Sequence, residues 1–234
     1  MNRLRCSVIF PVLESYEVVK RQILYMNGLI PENWEVIILD DGSRPSLVQV
    51  LNGFLEDHNT IPHFKLIETK DYRPWTQACA TNRGAREAEG EYLLLMNIDH
   101  MLSLPMVKAI DAFNGDKMVF PRQWAVLNKK GYIVQDDATL FDYGWQGGKK
   151  HIGAGYGLQC IRREIYVDWL GGQDERFCGK YGNNDVDLSK RYAELHKQGK
   201  VQRAVIGPTM YVYPNPRADV KQIFHGLRRK AYDQ

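Results

Sequence analysis

The sequence predicts a doubly wound α/β fold with a mainly parallel central sheet. Three observations carry this expectation. Across the first hundred residues, short apolar runs alternate with amphipathic segments of helical period. Two of those runs, Glu35–Leu39 (EVIIL) and Tyr92–Met96 (YLLLM), are unbroken, as strands covered on both faces require. The repeated strand–helix–strand order implies right-handed crossovers between parallel strands.

The elements follow in order. Cys6–Pro11 is a short apolar strand, not a signal sequence, because the apolar stretch after the basic start is brief and ends at Glu14. Ser15–Asn27 reads as a helix, with Ser15 as its N-cap candidate and Gly28 just past its end. Glu35–Leu39 is the second strand and Leu47–His58 the second helix. Phe64–Ile67 is a third strand, Thr76–Glu89 an Ala- and Arg-rich helix closed by Gly90, and Tyr92–Met96 a fourth strand. A helix over Pro105–Phe113 and a strand over Met118–Pro121 come next. The pattern then breaks: six glycines fall between Gly144 and Gly157, with a turn candidate at Asn128–Gly131. Leu158–Ile161 is a further strand, Asp185–Gln198 a helix ended by Gly199, and a basic helix starts near Ala218. The expected organisation is one domain: a ligand-binding half over 1–104, a more irregular half over 105–217, and a basic tail over 218–234.

Composition narrows the function. Charged residues make up 25% and hydrophobic ones 44%, so the chain has a globular composition rather than a disordered one. No apolar run approaches the roughly 20 residues that span a bilayer. The net charge of +3 is too modest to demand nucleic acid, although Arg228-Arg229-Lys230 forms a local cluster. Cys6, Cys79, Cys160 and Cys178 show no metal-ligand or disulfide-framework spacing, which predicts reduced thiols and a cytoplasmic protein.

The chemistry is expected beyond the carboxyl ends of the strands, where open α/β sheets bind ligands. Two strands end there in acids, one at Asp40-Asp41 and one at Asp99. Carboxylates so placed can accept hydrogen bonds from a base or ribose, or hold a hard divalent cation. Gly153-Ala154-Gly155-Tyr156-Gly157 has the wrong spacing for a dinucleotide fingerprint, and there is no P-loop. A third feature is Gly171-Gly172-Gln173-Asp174-Glu175-Arg176-Phe177, followed by Asn184-Asp185-Val186-Asp187-Leu188 and Arg191. Acids in a helix's first turn are also ordinary capping chemistry, so Asp185 alone is ambiguous.

Taken together, five segments in order resemble the family 2 glycosyltransferases of GT-A fold. They are Ser7–Pro11, Ile38–Ser43, the helix carrying Asn82, Gly84 and Ala85 through Tyr92, Asn97-Ile98-Asp99, and the Gly-Gly to Asn-Asp-Val-Asp-Leu stretch. The resemblance implies metal-dependent transfer of a sugar, with inversion, from a nucleotide diphosphate donor of UDP type to a hydroxyl, on a glycan. It implies that Pro11, Asp40, Asp41, Asn82 and Asn97 line the nucleotide-sugar site. Asp99 would bind Mn²⁺ or Mg²⁺ with His225, Arg228 would reach the diphosphate, and Asp185 would be the general base. Trp145, Tyr156 and Gly172 would face the acceptor.

The chain departs from the family pattern in places. Asn97 stands where Asp is usual, and Asn184 where Glu is common. Thr81 stands where many members carry Arg, and Val12-Leu13-Glu14 replaces a common aromatic and Asn pair. Three other readings stay open. One is a DNA-modifying glycosyltransferase acting on a hydroxymethylated base, and one is a non-catalytic nucleotide-sugar-binding module. The third, a sugar nucleotidyltransferase, lacks its glycine-rich, Arg-bearing loop after the first strand.

Overall fold

The computed structural model describes residues 4–124, 158–179, 183–208 and 210–212, with backbone alone for 122–124, 211 and 212. The Asn128–Gly131 turn and the basic helix expected from Ala218 lie outside these residues. Four parallel strands form the frame: β1 (Cys6–Val12), β2 (Trp34–Asp40), β3 (His63–Glu68) and β4 (Tyr92–Leu95). With β6 (Lys117–Val119), β8 (Gln159–Arg162) and β9 (Val205–Ile206) they make a seven-stranded sheet in the order β3-β2-β1-β4-β8-β6-β9. β8 runs antiparallel to both β4 and β6. A second sheet joins β5 (His100–Met101), β10 (Met210–Val212) and β7 (Arg122–Trp124). It supplies regular structure on the side where the sequence predicts an irregular layer. Strands of two or three residues are too short to leave a periodic signal.

The helices are α1 (Tyr16–Met26), α2 (Leu47–His58), α3 (Gln77–Glu87), α4 (Leu104–Asp111) and α5 (Asn184–Lys197). Ser46 caps α2 through a reciprocal capping box with Gln49. Ser15, the expected cap of α1, makes no cap bond, because its hydroxyl donates to the Leu13 carbonyl instead. Alternate side chains of each parallel strand go to opposite faces. Val8, Phe10, Val36, Ile38 and Leu94 pack with α1, α2 and α4, while Ile9, Ile37, Leu39, Leu93 and Leu95 pack with α3, α5 and Tyr166. Each such side chain contributes roughly 1.5–3 kcal/mol by leaving water.

The path of the chain sets up the site. The sheet grows from β1 through β2 to β3, and α3 then carries the chain back across the opposite face to lay β4 beside β1. Strand order therefore reverses between β1 and β4, the point at which open α/β sheets take ligands into a crevice beyond the carboxyl ends of their strands. The first turns of α3 stand over that reversal. Gly84 lets α3 come this close, since a β-carbon there would lie 2.7 Å from Leu39 Cδ2 and 2.9 Å from Ile9 Cγ2.

Candidate active site

Four residues of α3 and its N-cap draw the scattered candidates together. Thr76, the N-cap position, makes no cap bond because its hydroxyl donates to Asp41 Oδ1 at 2.6 Å. One residue on, Gln77 Nε2 donates to Asn97 Oδ1 at 3.0 Å. Cys79 is disulfide-bonded to Cys178, 99 residues away. Asn82 holds the Gly-Gly loop by hydrogen bonds to Gln173 and Glu175. The ends of β2 and β4 and the loop before α5 thus all register on one helix. The disulfide corrects the expectation of four reduced thiols: the fold juxtaposes two cysteines that sequence spacing leaves unrelated. Cys6 and Cys160 are free and buried.

The two neighbouring acids at the end of β2 have different surroundings. Asp40 is fully within the protein, its Oδ1 taking the Ser43 N–H at 2.9 Å and its Oδ2 the Leu47 N–H at 2.7 Å. It is not placed to contact a ligand, contrary to the expectation from sequence. Its work is to hold the turn that leads into α2. Asp41 is partly accessible, and its backbone N–H is fixed by the Val12 carbonyl. Burial pushes its carboxyl up to about 6, reinforced by the Asp71 and Asp40 carboxylates and opposed by the Thr76 hydroxyl and Arg73. Among the described residues nothing donates to Asp41 Oδ2. Pro11 sits beside Leu39 near the end of β1, partly exposed at the same crevice.

Beyond β4, Asn97 and Asp99 are both partly exposed. His100 is buried, and its Nδ1 accepts the Asn97 N–H at 3.1 Å. That bond assigns the proton of the neutral ring to Nε2. The same Nδ1 lies 3.9 Å from Asp99 Oδ1. Among the described residues there is no cluster of three His, Cys, Asp or Glu side chains. The expected second metal ligand, His225, lies outside the described residues, as do Arg228, Trp145 and Tyr156.

Asn82 also departs from its expected role. Its Oδ1 accepts from the Tyr166 hydroxyl and the Gln173 N–H, both at 2.8 Å. Its Nδ2 donates to the Gln173 carbonyl at 2.7 Å and to Glu175 Oε1 at 3.0 Å. Both donors and both lone pairs are used, so no group is left for a nucleotide sugar. Asn82 is a buried pin for the loop. Gly172, expected at the acceptor, has φ +78°, and a β-carbon on it would lie 2.4 Å from Asn82 Oδ1. Only glycine fits both the backbone and the contact. Arg191 braces the loop from α5, donating to the carbonyls of Leu170 and Gly172 while it pairs with Asp187 at 2.7 Å. A cavity of about 340 Å³ opens here, lined by Asn82, Gly172, Gln173, Glu175 and Arg191 among others.

Asp185 is in the first turn of α5 but is not its cap. The helix starts at Asn184, with Asn183 as N-cap at φ +71°. Asp185 is partly exposed, and its Oδ1 accepts the Val186 N–H at 2.8 Å. The residue before it is tied back to the loop, since Asn184 Nδ2 donates to Gln173 Oε1 at 2.7 Å. Thr76, Gln77, Tyr166 and Gln173 are the site residues that sequence reading missed. Of these, only Gln173 carried a signal, as the variable residue inside the Gly-Gly-x-Asp-Glu string.

Comparison with known proteins agrees with this architecture. The family profile described as "Glycosyl transferase family 2" matches residues 7–145, more than half of the chain. An uncharacterised glycosyltransferase of Haemophilus influenzae is 26% identical over 105 residues, covering 44% of this chain and 39% of that protein. Among solved structures, S. aureus TarS (residues 1–349) superposes with a TM-score of 0.59 at 15% identity, covering 95% of this chain and 64% of that one. The mannosyltransferase PcManGT of Pyrobaculum calidifontis, solved with GDP-Man and Mn²⁺, gives 0.58 at 16% identity, covering all of this chain and 66% of that one. GalNAc-T7, solved with UDP, GalNAc and Mn²⁺, gives 0.56 at 17% identity over 90% of this chain and 43% of its own. The chain spans between about two fifths and two thirds of these proteins, and the structural likenesses establish a shared GT-A fold. With the sequence profile matching 7–145, the chain belongs to glycosyl transferase family 2.

Proposed function

We propose that the chain transfers a sugar, with inversion, from a nucleotide diphosphate donor of UDP type to a hydroxyl on a glycan. The observation that carries this is the convergence on α3. One helix and its N-cap hold Asp41 through Thr76, Asn97 through Gln77, and the loop that leads to Asp185 through Asn82. TarS has been solved with UDP, and PcManGT and GalNAc-T7 with sugar-nucleotide ligands and Mn²⁺.

Asp41 supports a pyrimidine base. Thr76 occupies Oδ1, which leaves Oδ2 as a single acceptor. One carboxylate oxygen matches the single imino N–H of uracil, whereas the guanine edge offers two adjacent donors. A divalent cation fits the remaining residues. Mg²⁺ and Mn²⁺ at such sites are held by one or two carboxylates and by substrate phosphates, and Asp99 is a partly exposed carboxylate just beyond β4. When bound, the cation would neutralise charge that grows on the departing diphosphate. Asp185 would take the proton from the attacking hydroxyl, which is a poor nucleophile until then.

Calorimetric titration with UDP and GDP, with and without Mn²⁺, tests this reading. UDP binding that needs Mn²⁺ and disappears in Asp99→Ala is expected, with GDP weaker. No binding of either nucleotide would sink it. The pH dependence has a definite sign. The ionised form of Asp41 is the acceptor, and with its carboxyl at about 6 the ionised fraction falls roughly fourfold between pH 7.5 and 5.5. UDP affinity should drop by about that factor more in wild type than in Asp41→Asn, which shares only the titration of the nucleotide's own terminal phosphate. The stability of the unliganded protein should move the other way. A carboxyl raised on folding costs stability when ionised, so this cost is relieved as pH falls through about 6 towards its ordinary value.

A further inference from the structure

The loop before α5 holds a hydrogen-bond donor that the reading above does not use. Gln173 is buried and fixed at three points. Its N–H and carbonyl both bond to Asn82, and its side-chain Oε1 accepts from Asn184 Nδ2 at 2.7 Å. The bond to Oε1 decides which end of the amide faces Asn184, and so turns Nε2 away from it. Among the described residues nothing accepts from Nε2, and Gln173 lines the cavity beside the Gly-Gly turn. Asn184, which sets this orientation, is the residue next to Asp185.

We propose that Gln173 is a specificity residue, donating through Nε2 to a sugar hydroxyl bound in the crevice, and that Asn184 is the positioning residue that fixes its polarity. This rests on the glycosyl-transfer reading. The chemistry favours a neutral hydroxyl over an anion. The donor is an uncharged amide, and the charges around the loop are matched in pairs, Asp174 with Arg176, Asp187 with Arg191 and Glu175 with Arg86. When a sugar fills the cavity and displaces water from Nε2, the amide donor costs free energy unless a hydroxyl oxygen of the sugar accepts from it. A sugar that lacks the hydroxyl, or presents it elsewhere on the ring, leaves the amide unpaired. That asymmetry is how a polar site discriminates between similar sugars. The hydroxyl has two sources, the donor sugar and the acceptor.

Two substitutions reverse the polarity while keeping the pair. In Gln173→Glu, a carboxylate oxygen still accepts from Asn184, and the other replaces the donor. In Asn184→Asp, the aspartate can only accept, so Gln173 turns over to donate to it and shows its oxygen to the crevice. Wild type and both variants would be titrated with UDP and with UDP-glucose, UDP-galactose and UDP-N-acetylglucosamine in Mn²⁺. Transfer to methyl glycosides of the same sugars would be followed by kcat and KM. UDP affinity should be unchanged in both variants.

A loss of about tenfold in affinity for a UDP-sugar, but not for UDP, assigns the hydroxyl to the donor sugar. A rise of about tenfold in glycoside KM, with donor KM unchanged, assigns it to the acceptor. Neither change, or a parallel loss of UDP affinity showing that the substitutions merely loosen the loop, overturns the proposal. Failure of wild type to bind UDP at all is a different result. It would strike the parent reading, and it is seen before any variant is compared.

Discussion

Asp185→Asn is expected to lower kcat by about 10³-fold while leaving the affinity for UDP within about twofold of wild type. The substitution keeps volume and can keep the hydrogen bond from the Val186 N–H. What it removes is the ability to take a proton. An acceptor hydroxyl would then have to lose its proton to water as it attacks, and the cost falls on the chemical step rather than on donor binding. Asp187, two residues on, is the natural control. It is also in the first turn of α5, but its carboxylate is paired with Arg191, whose guanidinium braces the Gly-Gly loop. Asp187→Asn should disturb loop order and stability more than it disturbs kcat. If the two variants lost kcat equally, Asp185 would have no special claim to the proton. If Asp185→Asn kept full turnover, the base would lie elsewhere.

The sheet and its helices were legible because their signals are local and long. An unbroken run such as Val36–Leu39 has few alternatives to a strand buried on both faces, and the amphipathic stretch Leu47–His58 coincides with α2 at both ends. The acids at the strand ends were legible as residues but not as individuals. Asp40 and Asp41 are indistinguishable in sequence, yet the pleat sends one into the turn before α2 and the other to the crevice. Asn82 shows a related ambiguity: a motif residue can serve a site by holding its loop rather than by touching ligand. Thr76 and Ser15 both sit where a cap is expected, and tertiary partners claim both hydroxyls. The Cys79–Cys178 pair joins positions 99 residues apart, and no spacing rule reaches that far.

Glu35→Ala should destabilise the fold by about 2–4 kcal/mol without weakening UDP binding, an effect that a reading of EVIIL as purely aliphatic conceals. Glu35 is fully buried at the start of β2. Its Oε1 accepts from the Ser7 hydroxyl at 2.6 Å and from the backbone N–H groups of Glu89 and Gly90, and Lys65 Nζ lies 3.0 Å from its Oε2. One carboxylate therefore ties β1, β2, β3 and the turn between α3 and β4 at the edge of the sheet away from the site. Truncating it leaves the Ser7 hydroxyl and the Glu89 N–H without their acceptor, while the Gly90 N–H keeps Ser7 Oγ at 2.9 Å and Lys65 keeps Glu89 at 2.7 Å. Glu35→Gln keeps an acceptor for the N–H groups and loses only the charge pairing, so its cost should be smaller, about 1–2 kcal/mol. Urea unfolding at equal m-values measures both. Five residues of extended strand, about 16 Å, separate Glu35 from Asp40, so the crevice should keep its shape for as long as the protein is folded. A loss of less than about 1 kcal/mol would mean that water replaces the carboxylate, and that this edge of the sheet is looser than its hydrogen bonds indicate. A large loss with UDP affinity intact would separate the frame from the site, and would show that α3 is held in register by the sheet it crosses as well as by the carboxylate at its far end.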